Sequence, residues 1–132
     1  EQFSCLRKWH FSREKFLKDA WVRPGATVLA LGSYQECEDA FVARADKIFV
    51  DHREQCLHRG ALRDAYATGG ITSQSISATI GDVVAGRKPG RTSPDERILC
   101  VPLGTGAMDI AVATVAYRRA LERGVGHRFS FA

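Results

Sequence analysis

Long apolar runs are missing from this sequence, and none approaches the roughly 18 to 20 residues that cross a bilayer as a helix. The longest apolar stretch near the C-terminus, residues 107–117, is interrupted by Asp109 and Thr114 and closes in Arg118 and Arg119, so it reads as a core helix. No membrane partner is expected. Cysteine is sparse, the 4 residues Cys5, Cys37, Cys56 and Cys100 lying far apart with no Cys-x-x-Cys pair. Neither a disulfide framework nor a zinc ribbon is indicated, and reduced thiols in a cytoplasmic protein are the simpler reading. A block of one charge sign is lacking too. Although 19 basic residues against 15 acidic ones leave a net charge of +4, the densest basic stretches (Arg87, Lys88, Arg91; then Arg118, Arg119, Arg123) are mixed with Gly, Pro or acid. A nucleic-acid footprint needs a clustered face, so no nucleic-acid partner is expected. The chain opens at Glu1 without Met or a basic-then-apolar leader, and a fragment of something longer is expected.

What is present suits an ordinary folded domain: 132 residues, 45% hydrophobic and 26% charged, give room for about one domain and a core without staples. Residues 12–20 read as a short helix with Ser12 as N-cap, ended by Arg23-Pro24-Gly25 because Pro disfavours helical geometry in the residue before it. Residues 26–31 form a continuous apolar run of strand length, suited to a strand covered on both faces. Residues 36–45 predict a helix and residues 47–51 a second buried strand, which together make a parallel βαβ unit. Residues 53–59 and 61–67 read as helical, broken at Gly60; residues 68–77 as a loop; residues 80–85 as a helical turn or two; residues 97–101 as a third strand. A helix over residues 106–123 closes the chain, with Ile110, Ala113, Tyr117 and Leu121 on one face and Gly124 as its stop.

The most suggestive local arrangement is Val101-Pro102-Leu103-Gly104-Thr105-Gly106, a strand running through two glycines into a helix. Free backbone N–H groups and the positive end of the helix dipole favour an anion or a polarised carbonyl there, although glycines for a tight turn explain the motif equally. It is no complete Gly-x-Gly-x-x-Gly, because Asp109 occupies the third position. Leu31-Gly32-Ser33-Tyr34 is the same kind of place, a strand's carboxyl end meeting small residues, where ligands gather in open α/β sheets. His52 and Cys56, four apart with Asp51 before them, are a conceivable metal pair; zinc needs two more ligands and His58 lies on another face, so no metal site is expected. Cys37 or Cys56 as a nucleophile competes with the commoner buried structural thiol. Asp109, one turn into the last helix, favours the helix dipole at its N-terminal end, and a catalytic or ligand-orienting role for it needs outside support.

The succession Trp21-Val22-Arg23-Pro24-Gly25-Ala26-Thr27-Val28, Ala45-Asp46-Lys47-Ile48-Phe49-Val50-Asp51, Arg53-Glu54-Gln55, Gly86-Arg87-Lys88-Pro89-Gly90-Arg91, and Gly104 through Asp109 resembles the ornithine cyclodeaminase and mu-crystallin family over residues 16–126. The resemblance implies an α/β fold, a partial Rossmann-type parallel sheet with flanking helices and a long C-terminal helix returning to a substrate and dimerisation domain. Residues 1–20 are then an atypical N-terminal segment unlike the family strand expected there. Residues 21–96 become the back part of the dinucleotide-binding domain, and residues 97–132 a strand and helix of the other domain. Family members are homodimers that use NAD or NADP and act on amino acids by hydride transfer through an imine. The family's glycine-rich first turn, its ribose-binding acid and its carboxylate-gripping Arg and Lys have no counterpart here. An incomplete cofactor site is expected, with NAD and NADP undistinguished.

Carried over by position, the backbone of Val28, Leu29, Ala30 and Leu31 lies beside the nicotinamide half of the cofactor, Glu38 stands where the family often has a cofactor-side Lys, Pro102 where a small polar residue touches the cofactor, and Leu103 where a residue contacts substrate. Tyr34 takes the place of the family's proton-managing Asp. A phenol is a poor base near neutral pH, though it can donate a proton or position substrate, so cyclisation of ornithine is not safely inherited. The alternative is a degenerate or truncated binding and dimerisation module without catalysis. An incomplete parallel sheet also leaves an exposed edge and an uncovered apolar face, which predicts aggregation or pairing with another chain.

Overall fold

β-branched and aliphatic residues cluster in short segments separated by turns, and in the computed structural model these segments become the strands of one parallel sheet. The structure describes residues 14–130 and, for the backbone alone, residues 5–7. The strands are β1 (Cys5–Arg7), β2 (Thr27–Leu29), β3 (Lys47–Val50), β4 (Ile76–Thr79) and β5 (Ile98–Val101), in spatial order β1-β2-β5-β3-β4. Helices α1 (Asp39–Arg44), α2 (Arg53–His58), α3 (Arg63–Ala67) and α4 (Ile80–Val84) flank the sheet, and α5 (Gly106–Arg123) comes after it. The parallel α/β class with a long closing helix is as expected.

Alternation along the strands distributes side chains between two cores. Ile48 and Val50 of β3 and Leu99 and Val101 of β5 join Val28 under α1, α2 and α3, packing with Phe41, Val42, Leu57, Leu62 and Ala65. Their neighbours Phe49 and Ile98 point the other way, onto a smaller cluster with Ala78, Ile80 and Val83. β5 is therefore hydrogen-bonded on both edges, Leu99 standing opposite Val28 on one side and Ile48 on the other. The crossover from β2 to β3 skips one strand position, which β5 fills last. The strand expected to open a second domain at residue 97 is instead central to this sheet, and the chain leaves the sheet only after Val101.

Three further expectations are corrected. Residues 14–18 are not helical, residues 12 and 13 lying outside the described set: Leu17 is 7% exposed and bridges Cys37, its N–H donating to Glu36 O at 2.9 Å and its C=O accepting from Glu38 N at 2.9 Å. One 3-10 turn, Asp19–Trp21, is all that remains of the helix, because pairing with the distant 36–38 segment outweighs local propensity. The opening segment, read as atypical and unlike the family's strand, pairs Cys5–Arg7 with Thr27–Leu29, an edge pairing made by main-chain groups and tolerant of side-chain identity. Residues 68–77, read as loop, contain one 3-10 turn and then enter β4, where Ile76 and Ala78 are buried and Ser77 between them is exposed. After β4, Thr79 caps α4 by accepting the Asp82 N–H at 3.1 Å while donating to the Asp82 carboxylate at 2.7 Å.

Helix α5 departs furthest from expectation. It has the predicted bounds, and Gly124 ends it in the left-handed region at φ 62°. None of its residues is buried, however: Ile110, Val112, Tyr117 and Leu121 are all exposed. In this chain it is not a core helix.

Candidate functional site

Parallel strands all deliver their carboxyl ends to one edge, and three connections meet there. After β2 the chain runs through Ala30, Leu31, Gly32, Ser33 and Tyr34; after β3 through Asp51 and His52; after β5 through Pro102, Leu103 and Gly104. Ala30 N donates to Cys100 O at 2.9 Å, continuing the β2–β5 ladder one residue into the loop. Asp51 then ties the second and third connections together: its Oδ2 accepts the Gly104 N–H at 2.5 Å, and its Oδ1 accepts the His52 N–H at 2.8 Å and the Cys56 thiol at 3.2 Å. The anion expected at the Val101–Gly106 turn is thus in part the chain's own carboxylate, since one N–H of that turn already serves Asp51. Nothing local predicts this bond, whose partners lie 53 residues apart.

Gly60 brings the remaining segment in. At φ 76° it takes a conformation that L side chains rarely adopt, and a Cβ there meets Leu103 Cδ2 at 2.7 Å and Gly32 O at 3.3 Å. Beside it, Arg59 Nη2 donates to Ser33 Oγ at 2.7 Å. Leu103, Gly32, Ser33, Arg59 and Asp51 are separate in sequence and share this edge. No local signal singles out Arg59 or Asp51 for it.

Of the residues expected at the site, Ala30, Leu31, Tyr34, Pro102 and Leu103 lie on the connections at this edge. Val28 is buried in the main core, and with Leu29 and Ala30 it also lines a shallow depression shared with Phe16, Leu17, Glu36 and Cys37. Glu38 is set apart, its Oε2 accepting the Asp19 N–H at 2.9 Å and so fastening the turn before β2 to the start of α1. His52 uses Nδ1 to accept the Gln55 N–H at 3.4 Å at the start of α2.

The thiols are electrostatically quiet. Burial pushes Cys37 up to about 12, and burial together with the Asp51 charge pushes Cys56 and Cys100 up to about 11 each. A thiolate nucleophile near neutral pH is therefore disfavoured at all three.

An open parallel sheet whose carboxyl-edge loops converge on small residues and backbone groups is the place where doubly wound α/β proteins gather their ligands. A family model for the ornithine cyclodeaminase/mu-crystallin family matches residues 10–124, and the chain belongs to that family. It is 37% identical over 124 residues to the alanine dehydrogenase of Archaeoglobus fulgidus, a match that covers 91% of this chain and 38% of that enzyme. Among solved structures it superposes on Thermococcus litoralis Δ(1)-pyrroline-2-carboxylate reductase in complex with NADH and L-proline with a TM-score of 0.80 at 30% identity, over 89% of this chain and 38% of that one. An archaeal alanine dehydrogenase dimer with bound NAD gives a TM-score of 0.78 at 38% identity, over 92% of this chain and 39% of that one. The chain therefore spans well under half the length of these relatives.

Proposed function

We propose that this chain forms the nicotinamide side of an NAD(P)-dependent amino-acid or imine oxidoreductase, with the rest of the cofactor and substrate sites supplied by sequence beyond it. The observation that carries the reading is the meeting of the post-β2 and post-β5 connections at one sheet edge, pinned by Asp51 to Gly104. The residues fit that half of a dinucleotide: Ala30 and Gly32 are small, and Gly104 at φ 87° has open space where a Cβ would stand. No glycine-rich turn for the pyrophosphate occurs after β1.

A bound nicotinamide supplies hydride exchange with the substrate's α-carbon, an imine gaining hydride at carbon and a proton at nitrogen. The chain's own residues do the rest. The backbone from Val28 to Leu31 orients the cofactor face, Leu103 presents an apolar side chain that excludes water, and Pro102 offers no competing N–H donor. Tyr34, 41% exposed on the same connection, positions substrate or donates a proton.

The amino-acid dehydrogenase and imine-reductase relatives support this reading, and the dimeric archaeal neighbour supports a homodimer; in it we take α5 to pack into a second domain. Exposed Ile110, Tyr117 and Leu121 on α5 fit such packing. The free thiols of Cys37, Cys56 and Cys100 fit a reducing, cytoplasmic location, and no helix of the described residues is long and apolar enough to cross a membrane.

The test is a titration of the full-length protein with NADH and NADPH that follows nicotinamide fluorescence and thermal stability together. Saturable binding with a raised Tm is expected, and the tighter of the two ligands identifies the cofactor. A folded full-length protein that binds neither leaves the non-catalytic module as the better reading.

A further inference from the structure

Full positive charge enters the carboxyl edge through Arg59. Arg44, Arg63, Arg87 and Arg97 each meet an aspartate, and Arg53 and Arg91 spend themselves on backbone carbonyls and the Thr27 hydroxyl, whereas among the described residues Arg59 meets neither a carboxylate nor a carbonyl. Its polar contact is a neutral hydroxyl, Ser33 Oγ at 2.7 Å. A guanidinium carries five N–H donors in a planar fork, so most of its bonding capacity faces outward. The next residue in the chain holds Arg59 in place. Gly60 packs against Leu103 and the Gly32 carbonyl, which leaves Arg59 at the junction of the connections after β2, α2 and β5.

The surrounding charges do not neutralise it. Asp51, the carboxylate of this edge, is committed to the Gly104 and His52 N–H groups and the Cys56 thiol. Glu38 is bound to the Asp19 backbone, Glu36 is buried beneath the post-β2 connection, and His58 stands edge-to-face on Tyr66 with ring centroids 5.6 Å apart. A guanidinium backed by the hydroxyl of Ser33, itself the chain neighbour of Tyr34, matches a planar carboxylate that accepts two parallel N–H bonds.

We infer that Arg59 and Ser33 form a subsite for a second carboxylate on the substrate, making the preferred substrate class an amino or imino dicarboxylic acid. The inference rests on the oxidoreductase reading for its substrate and on the Arg59–Ser33 pair for its specificity. A diamino acid is disfavoured at the same point, because its terminal ammonium would meet the like charge of Arg59.

Two measurements test it. In the first, thermal unfolding of the chain is followed in succinate, acetate and 1,4-diaminobutane at matched ionic strength, for the wild type and Arg59→Gln. Succinate is expected to raise Tm more than the other two in the wild type alone; equal shifts in both proteins, or no preference for succinate, overturn the subsite. In the second, the full-length protein with reduced cofactor and ammonia is assayed on a 2-oxo dicarboxylate and a 2-oxo monocarboxylate. The ratio of their kcat/KM values is expected to fall on the order of 10- to 100-fold in Arg59→Gln and to recover in part in Arg59→Lys, as for loss of a charged hydrogen bond. An unchanged ratio overturns the inference. Should neither oxo acid turn over, the oxidoreductase reading fails while the succinate measurement still decides the subsite.

Discussion

Asp51 at the end of β3 accepts the backbone N–H of Gly104, the residue three past the end of β5, at 2.5 Å. Through this bond the connection after the central strand is positioned by its neighbour strand. The same carboxylate holds the Cys56 thiol, whose sulfur lies 3.5 Å from Val101 O. Replacing Asp51 with Ala removes three acceptor contacts from a half-buried site and leaves the Gly104 N–H and the thiol without them. The expected cost is about 1–3 kcal/mol of unfolding free energy, read from urea midpoints at unchanged m. Nicotinamide binding should weaken further than stability does, because Pro102 and Leu103 lose their anchor; an Ala variant that binds as the wild type does would separate this bond from the site.

Gly60 offers a sharper probe. Gly60→Ala must hold an L residue at φ 76° and place Cβ at 2.7 Å from Leu103 Cδ2 and 3.3 Å from Gly32 O. The leucine side chain is able to swing away, while the carbonyl is backbone and is not. Destabilisation of about 1–2 kcal/mol is expected from the left-handed conformation. Because Leu103 moves, substrate affinity should change more than cofactor affinity, which a KM-against-Kd comparison in the full-length protein measures.

Strands β2, β3 and β5 and helices α2, α3 and α5 are legible in the sequence because each is a contiguous apolar or capped segment with its own breaker, such as Gly60 or Gly124. Strand β4 is hidden by Ser77, Thr79 and a Gly- and Ser-rich approach; only Ile76 and Ala78 face the sheet's cores, too short an alternation to stand out. Residues 14–18 mislead in the opposite direction, since the Leu17–Cys37 bridge is a long-range pairing that overrides local pattern. At the candidate site, the glycine turns can be read from spacing, whereas Arg59 to Ser33 and Asp51 to Gly104 are contacts between segments 26 and 53 residues apart. The exposure of α5 is not legible, because amphipathic spacing shows that a face wants covering and does not say which chain segment covers it.

Stability should depend on pH at both ends of the range. Hydrogen bonds from the Thr92 hydroxyl and N–H, with Lys47 beside them at 3.1 Å, hold the Glu96 carboxyl down from the usual 4.5 to about 2. The stabilisation is complete above 4.5, where the unfolded carboxyl is also ionised, and disappears as pH falls towards 2. Glu96→Gln should therefore flatten the acid limb of a Tm-against-pH curve. The thiols act at the other end. Cys56 and Cys100, at about 11 against the ordinary 9.0, stay protonated in the fold while the unfolded chain ionises, so stability declines as pH rises through 9 towards 11. Iodoacetamide should modify Cys37 and Cys56 slowly in buffer at pH 8 and rapidly in urea, as the buried, protonated thiols become exposed thiolates.

Helix α5 carries Ile110 at 70%, Tyr117 at 63% and Leu121 at 48% exposure, which is a large apolar outlay for a surface helix. Spaced at seven and four residues, these side chains lie close to one stripe, and none of them is buried against the sheet. They therefore contribute little to the stability of this chain in isolation, and a charged substitution there should leave the unfolding free energy within about 0.5 kcal/mol of wild type. On the proposed homodimer, the same substitution should reduce self-association. Ile110→Lys and Leu121→Lys are thus expected to shift sedimentation or light scattering towards monomer, with Tm unchanged at dilutions where the wild type is itself monomeric. If instead Tm falls by several degrees in dilute solution, α5 folds back on its own sheet and the stripe is internal. The full-length protein distinguishes the two coverings that remain. Should the proposed homodimer form, loss of dimer at retained cofactor binding would place the stripe between subunits, and loss of both would place it against another part of the same subunit.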